Sequence, residues 1–387
     1  MRRFLDGNRL ALLCSGREFF PALVASIEAA TRDIWLESYL FADDAVGHSV
    51  AAALIRARQR GVEVSVLVDG FGARRFPETF GAALSQADVR WRLFRPEVGG
   101  FSLRKKRLRR MHRKLAVIDA RIAFVGGINI IDDDNGPPGL GPRFDFAVKV
   151  EGRLVQVIRE AMLRQWELVL WATHKRRPKP VPGVAFETVG HQKAQFLTRD
   201  NLLHRNDIAD AYLSMIRHAK QEVRIACAYF LPGWRFRHAL SEAARRGVDV
   251  RILLQGKTDH PLVHYATQAL YGGLLRTGVR IFEYEAGFLH AKVGVIDRRW
   301  STVGSSNMDP FSLFLAREAN LFVVDDDFSR QLDTRLLAAM KDGATEIRLS
   351  GLQRLSWFSR LLRWLSYGLM RYLAGLIGAP EARYPKA

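Results

Sequence analysis

The sequence predicts an α/β protein made of two fused copies of one lobe. Segments with a helical period alternate with short apolar runs of strand length, an order typical of sheets covered by helices. The first half then recurs: RQRGVEVSVLVDG is echoed by RRGVDVRILLQG, and Gly61 and Gly247 lie 186 residues apart (247 − 61). A period this long exceeds that of solenoid repeats, so it indicates two copies of one lobe.

Local patterns define the expected elements of each lobe. In the first half, apolar runs of strand length occupy 34–41, 62–70, 89–94, 114–118, 122–125 and 144–150. Helical periodicity covers 22–32, 46–60 and 154–171. In the second half, helices are expected at 207–220 and 235–246, and strand-like runs within 223–233, 245–256 and 279–284. We therefore expect lobes at 1–171 and 191–348, a linker rich in Pro, Gly and basic residues at 172–190, and a tail at 349–387.

Composition restricts the class of partner. The 387 residues carry a net charge of +19, and the sequence pI is about 10.4. Such a surplus favours a polyanionic partner, either nucleic acid or an anionic membrane surface. Two cysteines, Cys14 and Cys227, are too few for a disulfide framework or a four-cysteine metal site. The start lacks a signal-peptide core and no run reaches the ~18 apolar residues of a membrane span, so we expect a soluble or peripheral protein.

A motif of residues that could act in catalysis occurs twice, 178 residues apart (290 − 112). The first copy, HRKLAVIDARIAFVGGIN, contains His112, Lys114, Asp119, Gly126, Gly127 and Asn129. The second copy, HAKVGVIDRRWSTVGSSN, has the same spacing and contains His290, Lys292, Asp297, Gly304, Ser305 and Asn307. Two complete matches with identical spacing are not a chance coincidence of residue types, so they indicate a duplicated chemical unit.

The residue types of the motif suit chemistry on a phosphate. A His and a Lys two residues apart on a strand point to the same side. The imidazole can act as a nucleophile or general acid, and the ammonium supplies positive charge for a phosphate oxygen. The turn that follows offers backbone N–H groups and an amide to an anion. Together these groups predict a phosphoryl-transfer site that needs no metal and no cofactor.

A metal site is the alternative interpretation of the two histidines. His112, His290 and nearby carboxylates could in principle ligate zinc. Against this, the paired lysines would repel a cation, and no other His or Cys cluster has the spacing of metal ligands. The sequence therefore favours phosphoryl transfer over a metal centre.

Two further segments bear on the partner. The run RKKRLRRMHR, at 104–113, is the densest positive stretch and leads directly into His112, so we expect it to draw a phosphate-bearing ligand towards the site. The segment at 351–380 is rich in Leu, Trp, Tyr and Arg with almost no acid, a pattern that predicts an amphipathic helix. Trp357, Trp364, Tyr367 and Tyr372 favour the membrane interface for this helix. Docking on the protein core is the alternative.

The twin motifs resemble the paired HKD signatures of the phospholipase D superfamily, and the resemblance covers nearly the whole chain. It implies two α/β lobes packed face to face, with one active site at their interface. In that superfamily one histidine attacks phosphorus to form a phosphohistidine, and the other protonates the leaving alcohol. The resemblance assigns His112 as nucleophile and His290 as general acid, although the order could be reversed. Lys114, Lys292, Asn129 and Asn307 would then hold the phosphate oxygens.

Carboxylates have two different roles in this interpretation. Asp119 and Asp297 complete the motif as members of the catalytic set, but they lie just past short strands and could instead stabilise a turn. Members of the superfamily also orient each histidine with a separate carboxylate, and Asp145 and Glu318 match those positions. A carboxylate on an imidazole fixes its tautomer and stabilises its cationic form.

Within the superfamily the sequence is similar to the bacterial cardiolipin synthases of the short type, which lack N-terminal membrane-spanning helices. The similarity rests on GNRLALLCSGREFFPAL, DNLLHRNDIADAYLSMIRHAKQEVRIACAYFLPG and VGSSNMDPFSLFLAREANLFV. It implies phosphatidyl transfer between two phosphatidylglycerol molecules with release of glycerol. The expected partners are anionic phospholipids and a membrane surface, without nucleic acid. The expected location is peripheral, on the cytoplasmic side of the bacterial inner membrane. The sequence does not determine the oligomeric state.

Four other functions remain open from the sequence. A hydrolase of the superfamily would use the same residues with water as acceptor, and another transferase would use a different alcohol, such as phosphatidylethanolamine. A nuclease would also be basic, but aromatic residues do not interleave with the basic run as a single-strand platform requires. A lipid-binding scaffold without turnover would have no need of two intact motifs.

Overall fold

The computed structural model describes residues 4–96, 109–173, 188–200, 204–257, 260–309 and 316–376. The first lobe has strands β1 (Leu5–Cys14), β2 (Asp33–Ser38), β3 (Glu63–Asp69), β4 (Arg90–Phe94), β5 (Leu115–Ile118), β6 (Ile122–Gly126), β7 (Arg143–Phe144) and β8 (Phe146–Gly152). Its helices are α1 (Ser15–Glu28), α2 (Ala45–Gln59), a π-helical turn (Pro77–Gly81) that continues into α3 (Ala82–Gln86), and α4 (Leu154–Ala172).

The second lobe repeats this order. Its strands are β9 (Gln192–Arg199), β10 (Glu222–Cys227), β11 (Asp249–Gln255), β12 (Arg280–Tyr284), β13 (Phe288–Leu289), β14 (Lys292–Ile296), β15 (Trp300–Gly304), β16 (Glu318–Val324) and β17 (Ala344–Ile347). Its helices are α5 (Asp207–His218), α6 (Trp234–Arg245), α7 (Pro261–Leu275) and α8 (Asp326–Asp342), followed by α9 (Leu349–Gln353) and α10 (Trp357–Leu376).

One mixed sheet of fifteen strands runs through both lobes. Its order is β17-β12-β11-β10-β14-β15-β16-β9-β1-β8-β6-β5-β2-β3-β4. The strand orders on the two sides of the β9–β1 junction mirror each other, so β2, β3, β4, β5, β6 and β8 correspond to β10, β11, β12, β14, β15 and β16. The duplicated lobe expected from the sequence repeat is therefore confirmed.

The principal hydrophobic core lies between the two lobes. It combines side chains of the inner sheet faces of both lobes with α4 and α8, and includes Val125 and Val148 from one lobe and Val303 and Leu321 from the other. Separate clusters fill the space under the outer helices of each lobe. The lobes thus pack face to face, and this packing fixes the strand ends that carry the two motifs.

Most of the expected elements form within a few residues of their expected bounds. The strands without an expected counterpart include β1 and β9, which join the lobes at the centre of the sheet. The expected strand at 144–150 is interrupted at Asp145, because β7 pairs with β13 of the other lobe while β8 pairs with β1 and β6. The helix expected at 22–32 begins earlier, at Ser15, and ends at Glu28. Most of the expected linker, 174–187, lies outside the described residues.

The described part of the tail is helical and packs on the second lobe. Helix α10 lies against α7, where Met370 joins a small cluster with Ala266 and Leu270. Among the described residues, no helix combines the length and apolar character that crossing a membrane requires.

Candidate active site

The first motif histidine is held by the opposite lobe. His112 precedes β5, and its backbone N–H donates to the carbonyl oxygen of Arg317 at 2.9 Å. Its Nδ1 lies 3.1 Å from a carboxylate oxygen of Glu318, the first residue of β16. Glu318 is fully buried, whereas 17% of the His112 side chain is exposed. The first lobe therefore supplies the imidazole and the second lobe its carboxylate.

The second motif histidine has the reciprocal arrangement. The N–H of His290 donates to the carbonyl oxygen of Phe144 at 2.9 Å, next to the paired strands β7 and β13. Its Nδ1 lies 2.6 Å from Oδ2 of Asp145 in the first lobe. The two carboxylates expected to orient the histidines are thus in place, and each acts across the lobe interface. Because Nδ1 of each ring is engaged, reaction at phosphorus falls to Nε2.

The two lysines lie beside the imidazoles. The Lys114 ammonium donates to the carbonyl oxygen of His112 at 2.6 Å, and that of Lys292 donates to the carbonyl oxygen of His290. The Lys114 ammonium also lies 5.3 Å from the centre of the Tyr39 ring. Burial, together with a smaller effect of the neighbouring Lys292, lowers the pKa of Lys114 to about 7. Two buried cations so close together form a site for an anion.

Burial also governs the pKa values of the acid and base groups. It lowers the pKa of His112, against the opposing effect of the Glu318 carboxylate. The pKa of His290 falls well below its usual value, first through burial and then through the positive charges of Lys292 and Lys114. Burial raises the pKa of Asp145 to about 7. An anionic ligand would offset the positive charge and favour a protonated imidazole.

The glycines of the first motif lie close to β8 and, at Gly127, to a carboxylate. The N–H of Gly127 donates to the carbonyl oxygen of Phe146 at 2.9 Å, and Gly126 is paired within β6 and β8. This corrects the expectation that the Gly127 N–H faces a phosphate, because that N–H already bonds to β8. A Cβ at position 127 would collide with both oxygens of Asp145. Gly127 therefore makes room for the carboxylate that holds His290.

Ser305 has a comparable supporting role in the second motif. Its N–H donates to the carbonyl oxygen of Ala319 at 3.0 Å, and its hydroxyl donates to Glu318 Oε2. The expected phosphate ligand is thus a partner of the carboxylate that holds His112. Of the asparagines, Asn129 accepts a hydrogen bond from the N–H of Leu40 at 3.1 Å through its carbonyl oxygen. Asn307 is buried at the corresponding place in the second lobe.

The motif aspartates cap turns at a distance from the imidazoles. Asp119 accepts hydrogen bonds from the backbone N–H groups of residues 31, 32 and 33 at 2.8–3.1 Å. Asp297 accepts from those of residues 220, 221 and 222 in the same way. Both residues have positive φ, at 52°. This placement corrects their inclusion in the catalytic set and favours the alternative, a structural role in the turn.

Two positioning residues were not recognised from the sequence. Asp69 accepts a hydrogen bond from the N–H of Met111 at 2.9 Å, and Gln255 accepts one from the N–H of Leu289 at 2.5 Å. Each therefore fixes the residue immediately before a motif histidine. A signal was present, because Asp69 and Gln255 occupy the same position of the repeated strand, each directly before a glycine.

The entrance near His112 is strongly basic. Arg110 lies 3.9 Å from Asp69, and its guanidinium packs over the Phe71 ring at 5.2 Å. Arg95 lies beside it and donates to the carbonyl oxygen of Arg109 at 3.2 Å. Residues 104–108 of the basic run lie outside the described residues. Among the residues described, no cluster of three or more His, Cys, Asp or Glu side chains is arranged to hold a metal.

Comparison with known proteins agrees with this geometry. The family model described as "Cardiolipin synthase, PLD-like domain" matches residues 23–138 and 212–339, one segment in each lobe. Cardiolipin synthase B of Salmonella typhi is 38% identical over 98% of this chain and 92% of the relative. Cardiolipin synthase B of Escherichia coli K12 is 37% identical over the same shares. Cardiolipin synthase A of Pseudomonas putida is 33% identical over 86% of this chain and 68% of the relative.

Solved structures share the fold at low sequence identity. A phosphatidylserine synthase of Haemophilus influenzae superimposes with a TM-score of 0.68 at 14% identity, covering 97% of this chain and 96% of the other. A polyphosphate kinase of Porphyromonas gingivalis gives a TM-score of 0.59 at 15% identity, over 95% of this chain and 53% of the other. Matches to the family model in both lobes, together with the curated relatives, show that the chain belongs to the cardiolipin synthase family of phospholipase D-like proteins.

Proposed function

We propose that the protein is a cardiolipin synthase, which transfers a phosphatidyl group from one phosphatidylglycerol to another and releases glycerol. One observation carries the reaction type: two imidazoles, each held at Nδ1 by a carboxylate of the opposite lobe, meet beside two buried lysines. The identity of the lipid is supported by curated relatives that match nearly the whole chain. The substrate resides in a bilayer, so the enzyme works at a membrane surface.

The first step of the proposed reaction forms a phosphohistidine. Nε2 of His112 attacks the phosphorus of the first phosphatidylglycerol, and a P–N bond forms as the P–O bond to glycerol breaks. The departing glycerol oxygen takes a proton from Nε2 of His290. Glu318 stabilises the charge that develops on the His112 ring, since a buried carboxylate next to an imidazolium offsets its desolvation.

The second step reverses these roles with a new alcohol. His290 removes a proton from the terminal hydroxyl of a second phosphatidylglycerol, whose oxygen attacks phosphorus. The P–N bond breaks, cardiolipin leaves, and His112 returns to its neutral form. Lys114, Lys292 and the amide groups of Asn129 and Asn307 hold the non-bridging oxygens throughout, where negative charge grows in each transition state.

Phosphatidylethanolamine has no free hydroxyl, so it could serve only as a phosphatidyl donor. Water or an alcohol other than phosphatidylglycerol is the competing acceptor. Each would use the same residues and differ only in what resolves the phosphohistidine. The acceptor is read directly from the product: phosphatidic acid results from water, and cardiolipin from phosphatidylglycerol.

Substitution of the histidines tests the proposal. With phosphatidylglycerol vesicles and mass spectrometry of the lipids, we expect His112→Ala and His290→Ala each to reduce cardiolipin formation by more than about a thousandfold. His48→Ala is the matched control, because His48 is an exposed histidine outside both motifs and pairs with Asp43. Full activity in either motif variant would contradict the catalytic assignment.

The place of action follows from the substrate. We infer that the enzyme is peripheral and works on the cytoplasmic side of the bacterial inner membrane, with anionic phospholipid as its partner. The net charge of +19 supports this, because an anionic leaflet attracts basic proteins. Fractionation of cells, with carbonate or high salt to release peripheral proteins from membranes, tests it. Recovery in the soluble fraction at low salt would contradict it.

A further inference from the structure

Helix α10 packs on the protein through its less apolar side. Its most buried residues are Ser366, Met370 and Ala374, at 2–4% exposure. Arg363 also faces the protein, close to Glu283 of β12 and to Tyr271 of α7, and burial lowers its pKa. A helix that packed in the usual way would bury its Trp and Leu residues and expose Arg and Ser. Here Trp357, Trp364 and four leucines of the helix are exposed, whereas Ser366 is buried.

The outward side of α10 carries a concentrated apolar surface. Thirteen large apolar side chains are exposed among the described residues, and eight of them lie on this helix. They are Trp357, Phe358, Leu361, Leu362, Trp364, Leu365, Leu369 and Tyr372. At 100° per residue they span an arc of about 160°. Two more of the thirteen, Trp234 and Leu262, lie at the N-terminal ends of α6 and α7.

Arginines border this arc, and acidic residues are missing from it. Arg360 is exposed at one edge of the apolar arc, and Arg354 is exposed just before the helix. The Arg371 guanidinium lies 5.8 Å from the Tyr367 ring at the same edge as Arg360. No Asp or Glu occurs between residues 349 and 376. Arginine beside Trp, Tyr and Leu is typical of helices that lie in the interface of an anionic bilayer.

The helix also connects to the active site. Met370 packs with Leu231, which lies in the loop after β10. The N–H of Leu231 donates to the carbonyl oxygen of Met308 at 2.8 Å, and Met308 follows Asn307 of the second motif. The far part of α10 is therefore close to the rim of the site, so a bilayer against its outer side would lie near the reacting groups.

We propose that the outer face of α10 is the surface by which the protein docks on an anionic lipid bilayer. This face lies parallel to the membrane, with its apolar side chains among the acyl chains and Arg354, Arg360 and Arg371 at the phosphate level. The proposal rests on the proposed function for its choice of partner, since the substrate of that reaction is an anionic lipid. A second copy of the chain is the competing occupant, but pairing would bring like-charged arginine edges together.

Vesicle flotation tests the proposal without turnover. Vesicles of phosphatidylcholine with a minor fraction of phosphatidic acid are suitable, because phosphatidic acid has no head-group alcohol to release. We expect Trp364→Ser/Leu365→Ser to weaken binding by at least about tenfold, because the vesicle would no longer bury two apolar side chains that the free protein exposes. The control is Trp171→Ser/Leu168→Ser, which removes an equally exposed Trp–Leu pair from α4. Thermal unfolding of both variants should match that of the unmodified protein.

A variant with fewer positive charges distinguishes binding to an anionic bilayer from binding to another apolar partner. Arg354→Gln/Arg360→Gln should weaken binding to the anionic vesicles by about fivefold per residue and leave binding to pure phosphatidylcholine unchanged. Three results would overturn the proposal. Vesicle binding could fall equally in the α10 and α4 double variants, or it could stay unchanged in the α10 variant. The α10 variant could also dissociate a dimer of the free protein without any change in flotation. Light scattering of the free protein reports the last of these.

An activity measurement distinguishes failure of docking from failure of the proposed function. In detergent micelles the lipid reaches the enzyme without docking on a bilayer. The Trp364→Ser/Leu365→Ser variant should therefore keep its turnover of phosphatidylglycerol in micelles and lose it on vesicles. Loss in both settings would overturn the docking role. Absence of cardiolipin from the unmodified protein in both settings would instead reject the proposed function and leave the flotation result standing.

Discussion

The carboxylates that hold the two imidazoles are the residues on which the chemistry depends most directly. His112 and His290 are both buried among positive charges, which disfavour the imidazolium that each must form in turn. The Glu318 carboxylate counters this effect on His112 at 3.1 Å, and Asp145 lies 2.6 Å from Nδ1 of His290. The carboxylates therefore offset part of the cost of forming the imidazolium, which the nucleophile and the acid each require in turn.

Replacement of Glu318 tests this function at the level of a single group. Glu318→Gln keeps the shape of the side chain and its hydrogen bond to Ser305, but removes the charge that stabilises the His112 imidazolium. We expect kcat to fall by at least about a hundredfold with little change in KM. The measurement is steady-state transfer on phosphatidylglycerol vesicles. A change in KM alone would assign Glu318 to substrate binding.

The lysines predict a specific pH dependence. The pKa of Lys114 is lowered to about 7, so its charge is present below pH 7 and is lost as the pH rises through that value. In the free enzyme, kcat/KM should therefore decline above about pH 7. A bound phosphate favours the charged form of Lys114, so in the pH profile of kcat the alkaline decline should occur at higher pH than in that of kcat/KM. Coincident limbs, or no alkaline decline in kcat/KM, would contradict this assignment.

At the scale of elements, the motif glycines and aspartates shape strand ends and turns. Gly127, directly after β6, leaves room for the Asp145 carboxylate. Asp119 connects the turn after β5 to the loop before β2 by hydrogen bonds. Neither residue touches the site of reaction. Each acts through the position of a strand that carries a reacting group.

Gly127→Ala tests the steric part of this account. The added methyl group would displace the Asp145 carboxylate from His290, so we expect kcat to fall by at least about tenfold without unfolding. Gly351→Ala is the control, because no atom lies within 4 Å of a Cβ built there. Activity of the Gly127 variant equal to that of the control would show that the carboxylate tolerates the shift.

Asp119→Ala tests the turn. Loss of a carboxylate that accepts three backbone N–H groups should lower the free energy of unfolding by about 1–3 kcal/mol. Activity per folded molecule should remain near that of the unmodified protein, measured well below the unfolding temperature. A large loss of kcat in the fully folded variant would return Asp119 to the catalytic set.

Much of the site was predictable from the sequence, and the remainder depends on long-range pairing. Spacing alone placed His112 and Lys114 together, because residues two apart at a strand share a side. It could not show that the N–H of Gly127 is used by β8, since strand partners are set by the tertiary fold. The amphipathic pattern of α10 was visible, but the side that faces the protein depends on contacts with α7.

At the scale of the whole molecule, the active site exists only when both lobes are in register. Each histidine takes its carboxylate from the other lobe, and the parallel pairing of β7 with β13 fixes one of these contacts. The sequence repeat predicted the two lobes but not the central strands β1 and β9, since their partners are distant in sequence. A core shared by both lobes makes the site one rigid unit.

The lipid products of the purified protein test the central claim most directly. Incubation with phosphatidylglycerol vesicles, followed by mass spectrometry and a glycerol assay, counts each product. The account predicts cardiolipin and glycerol in equal amounts, lost together in His112→Ala and His290→Ala. Phosphatidic acid as the dominant product, with no cardiolipin, would contradict the proposed synthase and identify water as the acceptor.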